Sequence, residues 1–361
     1  MKMSDMSNLS KLIAEIENRM ADELSKDLLY ARLKYMIYRN VDELRNDILD
    51  IAEKYNWEWE IPEMDRMCAS LSDIPGIVIF GCGVNGKQLH RLLKGSKYKK
   101  IPILFCDNNK EMQGKEVLGC KVISTEELKT GYRDYICVIG SSKYRQGILE
   151  LLLREGFPNK NILYPYLGIL VGKTGRQYFD YLMPENNEIF LDGGVYDGLT
   201  SGDFIKWTEG NYQAIYGFEA NPYSIDRCKK FFIDHEIHGI EFIEKCLWNE
   251  KTKLIFAGDR YGASRISDDG NAMVDADTID NVLGGRRVSY IKMDIEGAEY
   301  RALLGAERTI KKYRPRMALS VYHKPEDIVE IPALLLEYDN SYKFALRHYA
   351  SLAEETVLYV F

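Results

Sequence analysis

The stretch that most constrains this chain is Glu188 to Ser201, EIFLDGGVYDGLTS. An apolar run, Ile189 to Leu191, ends on Asp192, and Gly193, Gly194 and Gly198 follow closely. The pattern predicts a short buried strand entering a glycine-rich turn that opens a helix. Glycine lets backbone approach a ligand and reach positive φ without a Cβ clash. The helix N-terminus beyond it presents unpaired N–H groups that favour a carboxylate or phosphate. Tight turns between strand and helix also need glycine for their own geometry, so the turn leaves both readings open.

The strand–turn–helix pattern continues through the C-terminal half. A second strand, Ala214 to Phe218, ends in Glu219 and then Ala220-Asn221-Pro222. An acid at the end of a second strand accepts hydrogen bonds from vicinal ribose hydroxyls. Gly239 to Cys246 reads as a third strand, with Leu247 and Trp248 placed to wall a flat ring. Lys253 to Ile266 reads as a β-excursion carrying Tyr261, Ser264 and Arg265. Val288 to Met293 is a fourth strand closing on Asp294-Ile295-Glu296-Gly297, and the helix Ala298 to Tyr313 stops before Pro315. A fifth strand, Arg316 to Tyr322, ends at His323. A helix near Asp327 to Glu337 and two strands, Lys343 to His348 and Thr356 to Phe361, finish the chain.

The front of the chain holds two further regions. Residues 8–56 carry apolar side chains at threes and fours (Leu9, Leu12, Ile13, Ile16, Met20, Leu24, Leu28), which predicts helix. Asn40 with Glu43 has the spacing of a capping box. This arm is a packing element on the following domain or a homodimer surface. A strand over Ile77 to Phe80 then leads into Gly81-Cys82-Gly83-Val84-Asn85-Gly86, a full G-x-G-x-x-G. A second strand, Ile103 to Cys106, ends in Asp107, where a ribose-binding acid belongs. Ser124 to Glu127 repeats the capping box, Tyr135 to Ile139 is a third strand, and Lys143 to Glu155 a third helix.

Composition narrows the function classes. At 361 residues the chain has room for about two ordinary domains. A net charge of −7 supplies no basic field for nucleic acid. No apolar run approaches the roughly 20 residues of a membrane helix, and the start, MKMSDMSNLSK, lacks the apolar core of a signal peptide. Seven scattered cysteines without C-x-x-C argue for reduced thiols and a cytoplasmic protein, against a disulfide framework or zinc knuckle.

Two resemblances follow. The front module, on FGCGVNG, CDNNKEMQGKEVLGCKVIS and its third strand, resembles nucleotide-sugar-binding-like Rossmann modules of bacterial sugar-modifying enzymes. The C-terminal half resembles class I S-adenosylmethionine-dependent methyltransferases and, within them, the FkbM family. That likeness rests on FLDGGVYDG, IYGFEANPYSIDRCKKFF, IKMDIEGAEYRALLGAERTIKKYRPRMALSVYHKPEDI and the closing YKFALRHY…ETVLYVF. The fold expected is α/β: a helical arm (1–60), a small Rossmann-like domain (61–165), and a methyltransferase domain with a seven-stranded sheet (166–361).

The resemblance implies a cofactor along the C-terminal edge of the sheet. Gly194 and Gly198 would admit its backbone approach, Asp192 would orient the methionine moiety and Glu219 the ribose, with Tyr196, Asn221, Leu247, Trp248 and Asp294 around it. Tyr196 departs from the asparagine or glycine usual inside this turn; it covers the cofactor or simply packs. His323, with an ordinary pKa near 6.5, or Asp294 would accept the acceptor's proton, and Glu296 would orient substrate. The alternative is that Asp294 and Glu296 brace the loops. Glu299 reads as a solvated or capping side chain. Asp294 and Glu296 are oxygen ligands of a kind Mg²⁺ accepts, but two carboxylates do not define a ligand set, so no metal site is assigned. Gly81, Gly83, Gly86 and Asp107 are the front module's nucleotide-binding candidates. The expected activity is O-methylation of a sugar, nucleotide-linked sugar or glycan intermediate, with no nucleic-acid partner and no membrane insertion. The rivals are a non-catalytic nucleotide- or sugar-binding assembly protein and an NAD-dependent sugar-nucleotide reductase.

Overall fold

The computed structural model describes residues 3–69, 74–163, 177–257, 265–266, 270 and 272–361. Two compact units divide it. The larger takes the described residues within Met1–Tyr38, Thr174–His348 and Glu354–Phe361; the smaller takes those within Arg39–Lys173 and Tyr349–Ala353. The N-terminal helices are shared between the units. Helices α1 (Met3–Asn18) and α2 (Glu23–Tyr38) belong to the larger, while α3 (Val41–Lys54) and α4 (Pro62–Cys68) belong to the smaller. The break falls at Arg39, which adopts a φ of 54°, just before the cap residue Asn40, whose side chain accepts from the N–H of Glu43 at 3.2 Å.

In the smaller unit, β1 (Ile77–Phe80), α5 (Val84–Lys94), β2 (Ile103–Cys106), β3 (Glu116–Val117), β4 (Cys120–Ile123), α6 (Thr125–Gly131), β5 (Ile136–Ile139), α7 (Arg145–Arg154) and β6 (Ile162–Leu163) follow in order. Their six-stranded sheet runs β3-β4-β2-β1-β5-β6 and is parallel except for the β3–β4 pair. Helix α6 starts from a complete capping box between Ser124 and Glu127. A Cβ on Gly86 would sit 2.0 Å from the carbonyl of Gly81, so glycine is what lets α5 press onto the turn after β1.

The larger unit carries β7 (Glu188–Gly193), α8 (Leu199–Trp207), β8 (Tyr212–Phe218), α9 (Pro222–Asp234) and β9 (Ile240–Ile243). A four-stranded sheet follows, formed by β10 (Cys246–Leu247), β11 (Thr252–Ala257), β12 (Arg265–Ile266) and β13 (Ala272–Asp277). It corresponds to the expected β-excursion; Tyr261 and Ser264 lie outside the described residues. Next come α10 (Ile279–Leu283), β14 (Tyr290–Met293), α11 (Glu299–Leu304), α12 (Glu307–Tyr313), β15 (Arg316–Ser320), α13 (Asp327–Tyr338), β16 (Phe344–His348) and β17 (Thr356–Val360).

The main sheet has seven strands in the order β16-β17-β15-β14-β7-β8-β9, with β17 antiparallel to both neighbours. The continuously buried apolar strands β7 and β14 are what a sheet covered on both faces requires. Under it, Phe190 and Phe204 stack at 4.3 Å, with Phe179, Trp207 and Tyr290 around them. The edge strand β16 does not stay bare. Backbone bonds join Ala21 to Phe344 (2.8 Å) and Phe344 to Arg19 (3.0 Å), so the segment between α1 and α2 pairs with an edge that would otherwise template aggregation. Between β7 and β14 the strand order reverses, and in open α/β sheets ligands bind in the crevice outside the carboxyl ends at such a point.

Candidate active site

The loops after β7 and β14 meet at that reversal. Gly194 has a φ of 84°, and a Cβ there would lie 2.1 Å from the carbonyl oxygen of Asp294. Glycine at 194 is thus demanded twice, by its dihedral and by this contact. Gly198, at φ 88°, caps α8 against Phe231.

Asp192 and Lys292 are register partners on the adjacent strands β7 and β14. Both are buried, and the Lys292 ammonium lies 3.2 Å from a carboxylate oxygen of Asp192. Lys292 also donates to the carbonyls of Gly193 (3.1 Å) and Gly194 (2.7 Å), and the Ser201 hydroxyl donates to Asp192 at 2.7 Å. Burial pushes the Asp192 carboxyl up, against the pull of Lys292 and Ser201. Lys292, anchored on Asp192, therefore ties the glycine turn from beneath. The Asp192 side chain has no exposed surface from which to meet a ligand's methionine end. Lys292 is the residue sequence reasoning missed; its place directly before Met293-Asp294, in a strand otherwise apolar, was the available signal.

Glu219, at the end of β8, gathers three backbone N–H groups: Tyr196 at 2.8 Å, Ala220 at 2.9 Å and Asn221 at 2.7 Å. Burial raises its pKa despite those bonds. One carboxylate thus joins the turn after β7 to the turn after β8. Tyr196 takes a φ of 55°, a costly conformation for an aromatic residue, with its ring half-exposed under the Arg227 guanidinium at 4.8 Å. Asn221 is buried at the start of α9, and Leu247 packs against Gly193. The ring of Trp248 instead meets Arg301 of α11, 5.8 Å from centroid to guanidinium.

Asp294, Glu296 and His323 come together as expected. The Nε2 of His323 lies 3.6 Å from Asp294 and 3.4 Å from Glu296, and its Nδ1 lies 3.1 Å from Glu299. Hydroxyls of Tyr178 (2.7 Å) and Tyr322 (3.1 Å) donate to the two oxygens of Asp294. Burial raises the Asp294 pKa, but Lys292, His323 and the two tyrosines together hold it below the ordinary value. For His323 burial works downward, yet Glu296, Glu299 and Asp294 lift it to about 11. The ring is therefore an imidazolium at neutral pH. This corrects its assignment as a ready base, because the neutral imidazole is scarce among three carboxylates. Glu299 is corrected too: it is fully buried, accepting from the N–H of Ile295 at 2.8 Å, not solvated.

In the smaller unit, Gly81, Gly83 and Asp107 line a cleft of about 700 Å³ with Asn85, Ser141, Lys143 and Tyr144, while Gly86 packs behind it. Asp107 already accepts from the N–H groups of Cys82 and Asn109, both at 2.9 Å, so it braces the turn beside the cleft.

Residues 192–342 match the family model of the methyltransferase FkbM domain, and residues 75–163 match that of the C2185-like N-terminal domain. The larger unit thus carries a methyltransferase domain. No curated protein matches the chain. Among solved structures, methyltransferase FkbM from Methylobacillus flagellatus is 16% identical, with 94% of this chain and 99% of that one covered and a TM-score of 0.47. An rRNA methylase from Streptococcus thermophilus is 14% identical over 49% of this chain and 86% of its own, with a TM-score of 0.32. Fibrillarin from Aeropyrum pernix, solved with S-adenosyl-L-methionine bound, is 13% identical over 49% and 67%, also with a TM-score of 0.32. Among the described residues no helix is long and apolar enough to cross a membrane.

Proposed function

We propose that the chain transfers a methyl group from S-adenosylmethionine to a hydroxyl of a sugar, nucleotide-linked sugar or glycan-type acceptor. The observation that carries this reading is Asp294, an ionised carboxylate at the strand-order reversal, held by two tyrosine hydroxyls beside the loop that follows β7. The residues present suit the cofactor. Glu219 keeps one acceptor direction, on the oxygen that the Tyr196 N–H meets, for a ribose hydroxyl, and the turn from Gly193 to Gly198 opens α8 with no side-chain cap. When bound, S-adenosylmethionine supplies a methyl group activated by its sulfonium.

The chain's own part is alignment and proton management. Asp294 accepts a hydrogen bond from the acceptor hydroxyl and takes its proton as the new C–O bond forms. His323 stays protonated beside it and balances the charge of Asp294 and Glu296. A polyol suits this lining, since carboxylates accept from neighbouring hydroxyls and the half-buried Tyr322 ring offers an apolar surface.

The test is calorimetric titration with S-adenosylmethionine, S-adenosylhomocysteine and NAD, on wild type, Glu219→Ala and Asp294→Asn. Both sulfur ligands should bind wild type, lose at least tenfold in affinity in Glu219→Ala, and keep affinity in Asp294→Asn while turnover falls. Binding of NAD alone, or of nothing, refutes the reading.

A further inference from the structure

The cluster around His323 contains an imbalance that methyl transfer does not explain. Asp294, Glu299 and His323 each offer a ligand atom, and these atoms lie within 4.8 Å of one another. Glu299 has no exposed surface, and its Oε1 is used by the Ile295 N–H. Its Oε2 is buried without a hydrogen bond. So is the Nδ1 of His323: the Glu299 carboxylate lies 3.1 Å away, but off the direction of an Nδ1 hydrogen bond. Leaving a buried carboxylate oxygen and a buried ring nitrogen without a hydrogen bond is costly even where their side chains are ion-paired, and the two atoms belong to adjoining side chains.

A cation relieves both at once. Asp294 is already oriented as a metal-binding carboxylate usually is, by outer donors, here the Tyr178 and Tyr322 hydroxyls. Glu296 stands at the mouth of the cluster, at a φ of 56° that a non-glycine residue adopts only when its surroundings enforce it. Its carboxylate is half-exposed and 3.4 Å from His323, free to turn toward an ion. We infer that Asp294, Glu299 and His323 form a binding site for one divalent transition-metal cation. One imidazole among carboxylates suits Mn²⁺ better than Mg²⁺, which prefers oxygen ligands in a near-ideal octahedron. The site shares Asp294 and His323 with the proposed acceptor position, an ion there taking the place of the His323 proton, but the ion's binding does not depend on methyl transfer.

The experiment uses the full chain, stripped of metal by chelation and titrated with Mn²⁺ alone, with free Mn²⁺ followed by its paramagnetic resonance signal. One ion per chain should bind, at least tenfold more weakly in His323→Asn and in Glu299→Gln, with circular dichroism checking that each variant is folded. If Glu299→Gln does not fold, His323→Asn decides. Mg²⁺ should compete at least tenfold less well than Mn²⁺. No stoichiometric binding by folded wild type, binding unchanged in His323→Asn, or tighter binding of Mg²⁺ than Mn²⁺ overturns the inference. The two proposals fail separately: binding of S-adenosylhomocysteine without Mn²⁺ refutes only the cation site, and Mn²⁺ binding without that ligand refutes only the methyltransferase reading.

Discussion

Replacing Lys292 by methionine tests whether the buried pair under the glycine turn organises the site. The substitution keeps the length and apolar stem of the side chain and removes its charge. Asp192, with no exposed surface, would keep only the Ser201 hydroxyl, and the Gly194 carbonyl would lose the Lys292 ammonium while that of Gly193 keeps only the N–H of Asp294. Removing one partner of a buried ion pair costs about 3–5 kcal/mol, because the other charge is stranded. Asp192 limits that cost by taking a proton, since burial already raises its pKa with Lys292 in place. A loss of about 3 kcal/mol lowers Tm by about 10 °C in a domain of this size. The two units give an internal control: thermal unfolding followed by circular dichroism should show one transition falling and the other unmoved. Adding Asp192→Asn removes the stranded charge, so the double variant should recover about 2 kcal/mol relative to the sum of the single changes. Strict additivity, or a Tm for Lys292→Met within about 2 °C of wild type, would refute the argument.

Other outcomes follow from single contacts. Gly194→Ala should destabilise the larger unit by about 1–3 kcal/mol and weaken S-adenosylhomocysteine binding, because its Cβ meets the Asp294 carbonyl at a left-handed φ. Normal affinity and stability there would mean that the loop relaxes freely. Ser124→Ala, by breaking the capping box of α6, should cost about 1 kcal/mol and move only the smaller unit's transition. The Asp327 carboxyl, buried and beside Glu299, is pushed up to about 7. The folded state therefore holds a proton that the unfolded chain releases near pH 4, and stability from this group declines as pH rises from about 4 to about 7. Asp327→Asn should remove that slope, raising the urea midpoint at pH 8 and leaving it nearly unchanged at pH 4.

Strand ends were legible because each strand is an apolar run stopped by a polar residue: Asp192, Glu219, Asp294 and His323 all stand where their runs end. The strand–helix alternation, with a closing antiparallel pair, carried the seven-stranded sheet. The N-terminal arm was legible only as helix. Periodicity reports an apolar face, not the surface it meets, so nothing in residues 8–56 revealed that α1 and α2 join the larger unit while α3 and α4 join the smaller. Arg39, at positive φ beside the Asn40 cap, marks the division, and neither residue type requires a break there.

Charge was the harder part, because a carboxylate's role depends on which partner reaches it. Asp192 and Glu299 are both buried for this reason. Asp192 ends its strand beside the turn, as a ligand-binding acid would, but strand register places Lys292 directly against it and burial seals both. Glu299 opens a helix, where a carboxylate usually faces solvent, yet the turn through Glu296 and Gly297 folds it back onto Ile295 and His323. That fold-back also changes His323. A lone histidine at a strand end reads as a base near its ordinary pKa, whereas one among Asp294, Glu296 and Glu299 holds its proton far above neutrality.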